Sequence, residues 1–144
     1  MPTTTTTYSA AGTRRLGRKL AGKISGGGPV CFYGDLGAGK TTLIQGIARG
    51  LGIRGRVISP TFIIARRYKI PAKKRFLWHI DLYRLDGPED IKPLGIQQLW
   101  QDPANILLIE WPERAAALLP EKRWEIQITA VGENKRKISY EALH

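Results

Sequence analysis

The sequence predicts an α/β domain built on a largely parallel central sheet with an antiparallel edge. Three observations carry this. Short aliphatic runs that read as buried strands alternate with segments whose apolar residues recur at helical spacing, which favours a parallel sheet covered by helices. The run at 106–109 is four aliphatic residues with no charge, and 76–80 is nearly as continuous, as strands covered on both faces require. Toward the C-terminal end, 125–131 and 136–140 alternate polar and apolar and are joined through "GENK", which reads as an antiparallel pair.

Taken in order, residues 1–8 are threonine-rich and are expected to form a flexible tail, leaving 9–144 as one domain, as the 144-residue length suggests. Ser9 is placed to cap a helix that carries Leu16, Leu20 and Ile24 on one face. "SGGGP" ends it, and 30–33 follows as a buried strand. A helix is expected over 41–50, stopped by Gly50 and Gly52. Extended segments are expected at 57–58 and 62–68 around "SPTF", a turn at "IPAKK", and a strand over 75–81. A short helix is expected over 88–94, with Asp86 as its cap and Glu89 and Asp90 in its first turn. The segment 114–119 reads as a helical turn.

Composition narrows the function classes. Hydrophobic residues make up 42% of the chain, enough for a folded core. The one cysteine, Cys31, cannot form an internal disulfide, and no CxxC pair offers zinc ligands. The first residues lack the apolar stretch of a signal peptide, and no run is long enough to span a bilayer, so a soluble, cytoplasmic protein is expected. The net charge of +11 is high, and 66–75 holds six basic residues and no acid. Such a surface steers anionic partners, RNA or acidic protein, without specifying which.

The chemistry concentrates in "GDLGAGKTT", residues 34–42. Gly34, Gly39, Lys40 and Thr41 satisfy GxxxxGK(S/T) at every fixed position, between a predicted strand and a predicted helix. Glycines let backbone N–H groups turn inward as an anion nest, and the following helix aims its unpaired N–H groups at the same point. Lys40 is then placed for the β- and γ-phosphates of a nucleoside triphosphate, and the Thr41 hydroxyl for Mg²⁺. Two predicted strands end in carboxylates, Asp81 in "RFLWHID" and Glu110 in "NILLIE". A carboxylate at the C-terminal end of a neighbouring parallel strand lies where the metal is held, and Glu110 fits this better. In "SPTF", Ser59 and Thr61 offer hydroxyls on a proline-restrained turn. His79 reads as a packed strand histidine, and Trp111 as a wall of the pocket or a core residue.

Together "GDLGAGKTT", "SPTF", "HIDLYRL", "EDIKPLGI" and "LLIEWPER", in this order and at close spacing, resemble the TsaE (YjeE) family. That family consists of small P-loop ATPases of tRNA threonylcarbamoyladenosine biosynthesis. The resemblance spans about residues 13–119. It implies a three-layer P-loop NTPase-like α/β domain that binds ATP with Mg²⁺ and hydrolyses it slowly or conditionally. It also implies a TsaB–TsaD protein pair as partner, in which TsaD performs the threonylcarbamoyl transfer. Carried onto this chain, Asp35, Leu36, Gly37, Ala38, Gly39, Lys40, Thr41 and Thr42 surround the phosphates. Thr41 and Glu110 hold Mg²⁺, while Thr61 and Asp81 join Lys40 as catalytic or switch residues. Trp111 lies close to the nucleotide and Thr13 near the adenine.

The chain departs from the family in two places. "IIARRYKI" is basic where the family is usually more acidic, and "QQLWQD" replaces the acidic residues usual after "LGI". The basic surface at 66–75 therefore marks either an altered partner face or a tRNA contact. Two other functions use the same loop: a small-molecule kinase, and a nucleotide-gated RNA-binding module.

Overall fold

A computed structural model describes residues 2–35, 37–57 and 64–144. Among these, seven strands form one sheet: β1 (Thr3–Thr7), β2 (Gly28–Tyr33), β3 (Ala65–Ile70), β4 (Arg75–Asp81), β5 (Asn105–Glu110), β6 (Arg123–Ala130) and β7 (Arg136–Leu143). Their order across the sheet is β1-β7-β6-β2-β5-β4-β3. The inner strands β6, β2, β5 and β4 are parallel, while β7, β1 and β3 join antiparallel at the two edges. The α/β class, the mostly parallel centre and the antiparallel edges all stand as the sequence predicts.

Helices cover both faces and make three layers. On one side lie α1 (Ala10–Ile24) and α2 (Lys40–Gly50), which bury Leu20, Ile24, Leu43, Ile44 and Ile47 against Val30, Phe32, Ile106 and Leu108. On the other lie α3 (Pro88–Ile91), α4 (Ile96–Gln101) and 3-10 turns over Lys92–Leu94 and Pro112–Leu118. That side packs Ile91, Ile96 and Ala115 on Ile80, Leu107 and Ile109. Every residue of β5 is buried, because its even and odd positions face different cores. This is the physical reason for its unbroken aliphatic run.

The α1 start is as expected: the Ser9 hydroxyl accepts from the Gly12 N–H at 3.0 Å and caps the helix. The pairing of α1 with α2 depends on missing side chains. A Cβ on Gly17 would stand 2.5 Å from the Leu43 carbonyl oxygen, and one on Gly46 would overlap the Arg14 carbonyl. Backbone cannot retreat as a flexible side chain can. Gly46→Ala is therefore expected to destabilise the protein by about 2–3 kcal/mol, the upper range for overpacking. Urea unfolding of the two proteins reads this directly, and an unchanged midpoint would contradict the close approach.

Three local expectations need correction. The threonines at 3–7 are not a flexible tail but strand β1, in register with β7 from Thr3 opposite Tyr140 to Thr7 opposite Arg136. Polarity argued for a tail, but β-branched threonine suits a half-exposed strand, and β7 offers an edge to pair with. Asp86 does not cap α3. Gly87 holds that position without a side-chain bond, and the Asp86 N–H instead donates to Asp90 Oδ2 at 3.0 Å. The segment 88–94 is two short pieces, since Pro93 cannot continue the hydrogen bonding of an α-helix. The expectations for Ile58, "SPTF" with Thr61, Ile63 and Leu36 lie outside the described residues.

Candidate functional site

The 34–42 loop leaves the C-terminal end of β2 and enters α2, and the sheet order decides what stands beside it. β5 is the immediate neighbour of β2, with Phe32 opposite Glu110, and β4 is next, with Asp81 opposite Glu110. Both carboxylates therefore lie at the same end of adjacent parallel strands as the loop. Small ligands collect in the crevice at this end of an open α/β sheet.

Backbone geometry shows why glycine occupies the loop. Gly34 has φ +151°, and a Cβ there would lie 2.5 Å from the Ile128 carbonyl oxygen of β6. Gly39, with φ +105°, precedes α2 in a left-handed conformation and gives the helix no side-chain cap. The first-turn N–H groups of α2 thus remain available to an anion. Between them the Ala38 N–H closes a turn onto the Asp35 carbonyl at 3.1 Å. Lys40 is 5% exposed, and its ammonium donates to the Gly34 carbonyl at 2.6 Å and lies 4.3 Å from the centre of the Trp111 ring. A buried cation held by a carbonyl and a ring face is poised for an anion in the loop.

Trp111 takes this place through a strained backbone, φ 59° and ψ 48°, uncommon for a bulky residue. Such a conformation costs on the order of 1–3 kcal/mol, and here it sets the indole between Lys40 and Tyr83, whose ring centre is 4.9 Å away. A cavity of about 450 Å³ opens beside it, lined by Gly34, Asp35, Gly37, Ala38, Trp111 and Glu113, with the end of β6 as its far wall.

Glu110 is buried at 5% exposure, and its Oε2 lies 2.6 Å from His79 Nε2. His79 is fully buried, as a packed strand histidine should be, but it also orients the carboxylate. Asp81 is half-buried and accepts from the Tyr83 N–H at 2.9 Å. Desolvation by burial raises its carboxyl above the ordinary value of 3.8, and Glu110 adds to the rise; the Tyr83 N–H, His79 and Lys40 oppose it. Thr41 and Thr42 stand in the first turn of α2, both half-buried. Carboxylate and hydroxyl oxygens are hard donors suited to Mg²⁺, which usually takes only one or two protein ligands beside phosphate and water. Cys31 is buried in β2 and its thiol is pushed up to about 12, which leaves it protonated and not nucleophilic.

Thr13 lies apart from the carboxylates. It is buried in α1, bonded to the Thr7 hydroxyl at 2.7 Å, and lines a small cavity of about 90 Å³ with Ser9, Gly39, Thr42, Asn134 and Arg136. Arg136 was not anticipated from the sequence. Its Nε lies 3.5 Å from where a Cβ on Gly39 would be, and its guanidinium is tethered to carbonyls of 132, 133 and 135. Nothing in the pattern around residue 136 signals this, since only the pairing of β7 with β6 brings it to the loop. Another cavity, of about 460 Å³, opens at the opposite end of the strands by Pro29, Trp100 and Trp124. It is remote from the loop and both carboxylates.

A family model described as "Threonylcarbamoyl adenosine biosynthesis protein TsaE" matches residues 7–138. The chain belongs to the TsaE family. Proteins named "tRNA threonylcarbamoyladenosine biosynthesis protein TsaE" share this likeness. That of Synechocystis is 45% identical over 74% of this chain and 68% of its own length. That of Streptomyces coelicolor is 39% identical over 88% and 86%. That of Treponema pallidum is 35% identical over 91% and 94%. The crystal structure of YdiB from Bacillus subtilis superposes with a TM-score of 0.82 at 28% identity, covering 100% of this chain and 87% of that one. The TsaE family places the chain in threonylcarbamoyladenosine biosynthesis. No helix among the described residues is long and apolar enough to cross a membrane.

Proposed function

We propose that this TsaE-family chain binds and hydrolyses Mg·ATP and thereby allows turnover of a TsaB–TsaD pair that makes threonylcarbamoyladenosine in tRNA. The observation that carries this is the convergence of the glycine loop, Lys40, Glu110 and Asp81 at one end of three adjacent parallel strands. Residues 35–42 cradle the phosphates through backbone N–H groups, and Lys40 neutralises their charge. Thr41 and Glu110 would hold Mg²⁺, and that ion would supply charge neutralisation at the phosphates. His79, 2.6 Å from Glu110 Oε2, fixes the orientation of that carboxylate. Asp81 orients the attacking water, Thr61 is a further catalytic or switch candidate, and Trp111 and Thr13 border the nucleotide.

Phosphoryl transfer rests on positioning and charge neutralisation, so a site that a partner completes turns over slowly alone. Phosphate release from Mg·ATP is expected to be low for this protein alone and to rise by about tenfold or more with a TsaB–TsaD pair. The transfer of the threonylcarbamoyl group itself stays with the partner. Unchanged release, with no association between the proteins, would remove the partner from this reading.

A further inference from the structure

Beyond the nucleotide site, we infer that Arg14, Arg18, Arg49 and Arg56 form a docking site for the phosphate backbone of a nucleic acid. They border a depression of about 390 Å³ between α1, α2 and the loop that follows α2. Among the described residues no carboxylate lines it, and none is ion-paired with these four guanidinium groups. A solvated basic face that serves only solubility intersperses acids among its cations. Four like charges around one hollow repel one another, and an anion lowers that energy.

The site is built in advance. Gly46 and Gly50 let α2 approach the backbone of α1 at Arg14 and Arg18, which sets those residues, one helical turn apart, beside Gln45 and Arg49. Arg49 donates to the carbonyls of Ile53 and Arg54, and Gln45 Nε2 donates to the Val57 carbonyl at 3.2 Å. These bonds hold the loop that carries Arg56.

The residue types select the ligand. All four cations are arginine, whose planar fork bonds phosphate bidentately. Among the described residues no aromatic side chain lines the hollow, which favours contact to the backbone over base stacking. Among the described residues the hollow also lacks the aromatic or large aliphatic anchor that a protein partner would seat. In the basic run at 66–75, Arg67 lies 4.5 Å from the Phe76 ring centre and Arg75 bonds the Pro103 carbonyl; a separate variant below tests that run. The phosphate chemistry stands independently of the proposed function; only the preference for RNA rests on that reading.

Fluorescence anisotropy of a labelled RNA hairpin, and of a DNA hairpin of the same sequence, tests this across about 50–200 mM salt. Neither arm contains nucleotide or partner, so a failed ATPase reading would not disturb it. Binding of the RNA is expected, with log K falling linearly with log salt. The triple variant Arg14→Gln, Arg18→Gln, Arg56→Gln should bind about tenfold or more weakly at the lowest salt, with a slope shallower by about 2–3. It spares Arg49, which tethers the loop, and a thermal melt like that of the parent shows that it folds. The paired variant Lys73→Gln, Lys74→Gln should bind RNA as the parent does. A DNA hairpin bound equally well would keep the phosphate site and remove the RNA preference. No binding to either hairpin, an unaltered triple variant, or displacement by polyglutamate as readily as by RNA would each overturn the inference. The last of these would assign the hollow to an acidic protein.

Discussion

Lys40→Ala is expected to lower ATP turnover by about 10²–10³-fold, the usual consequence of removing one pre-oriented donor from a developing charge. The argument is geometric. The Lys40 ammonium is buried, fixed by the Gly34 carbonyl and the Trp111 ring, and carried by the first residue of α2. Loss of a buried side chain also weakens packing. Lys40→Met keeps most of the volume and removes the charge; it should fold normally and lose the same activity. Phosphate release by the parent and both variants, beside their thermal melts, separates charge from packing. Retained turnover in a folded Lys40→Met would show that the loop is not the catalytic centre.

Asp81→Asn is expected to move activity and stability in opposite directions. Turnover should fall by about 10²-fold, since an amide cannot polarise the attacking water as a carboxylate does. Thermal stability at neutral pH should rise. The folded-state pKa of Asp81 is raised, chiefly by burial, so the folded protein takes up a proton at this group more readily than the unfolded chain. Stability from this group is therefore present below its ordinary value of 3.8 and is lost as pH rises through the folded value. Ionised Asp81 consequently weighs against the fold at pH 7, and asparagine removes that penalty while its Oδ1 can still accept from the Tyr83 N–H. The melting-temperature difference between variant and parent should be positive at neutral pH and shrink on acidification toward and below 3.8. Taking the difference cancels the other titrating groups. A variant less stable than the parent at pH 7 would contradict this reading.

Strands β2 and β5 of the parallel centre were legible because burial on both faces leaves a mark in composition. β5 shows it best, with Ile106 and Leu108 in one core and Leu107 and Ile109 in the other. The α1 cap at Ser9 was legible because capping is a local hydrogen bond. β1 was not, since a strand of threonines is defined by the edge it pairs with, and that edge lies more than a hundred residues away. α4 went unread because six residues after a left-handed Gly95 are too few to show a period.

The same division runs through the candidate site. The order of glycines, Lys40 and Thr41 is a local arrangement of backbone and side chains, so the sequence by itself determined the glycine loop between β2 and α2, and the strand-end carboxylates could be nominated from their flanking aliphatics. Tertiary structure alone decided that β5 lies next to β2, which puts Glu110 nearer the loop than Asp81. It also decided that His79 holds Glu110, that a left-handed Trp111 closes on Lys40, and that Arg136 reaches Gly39. The four arginines belong here too, since 14, 18, 49 and 56 meet only where Gly46 and Gly50 let two helices touch. Pairing, burial and close approach depend on distant parts of the chain, and local sequence carries no record of which distant residue will arrive.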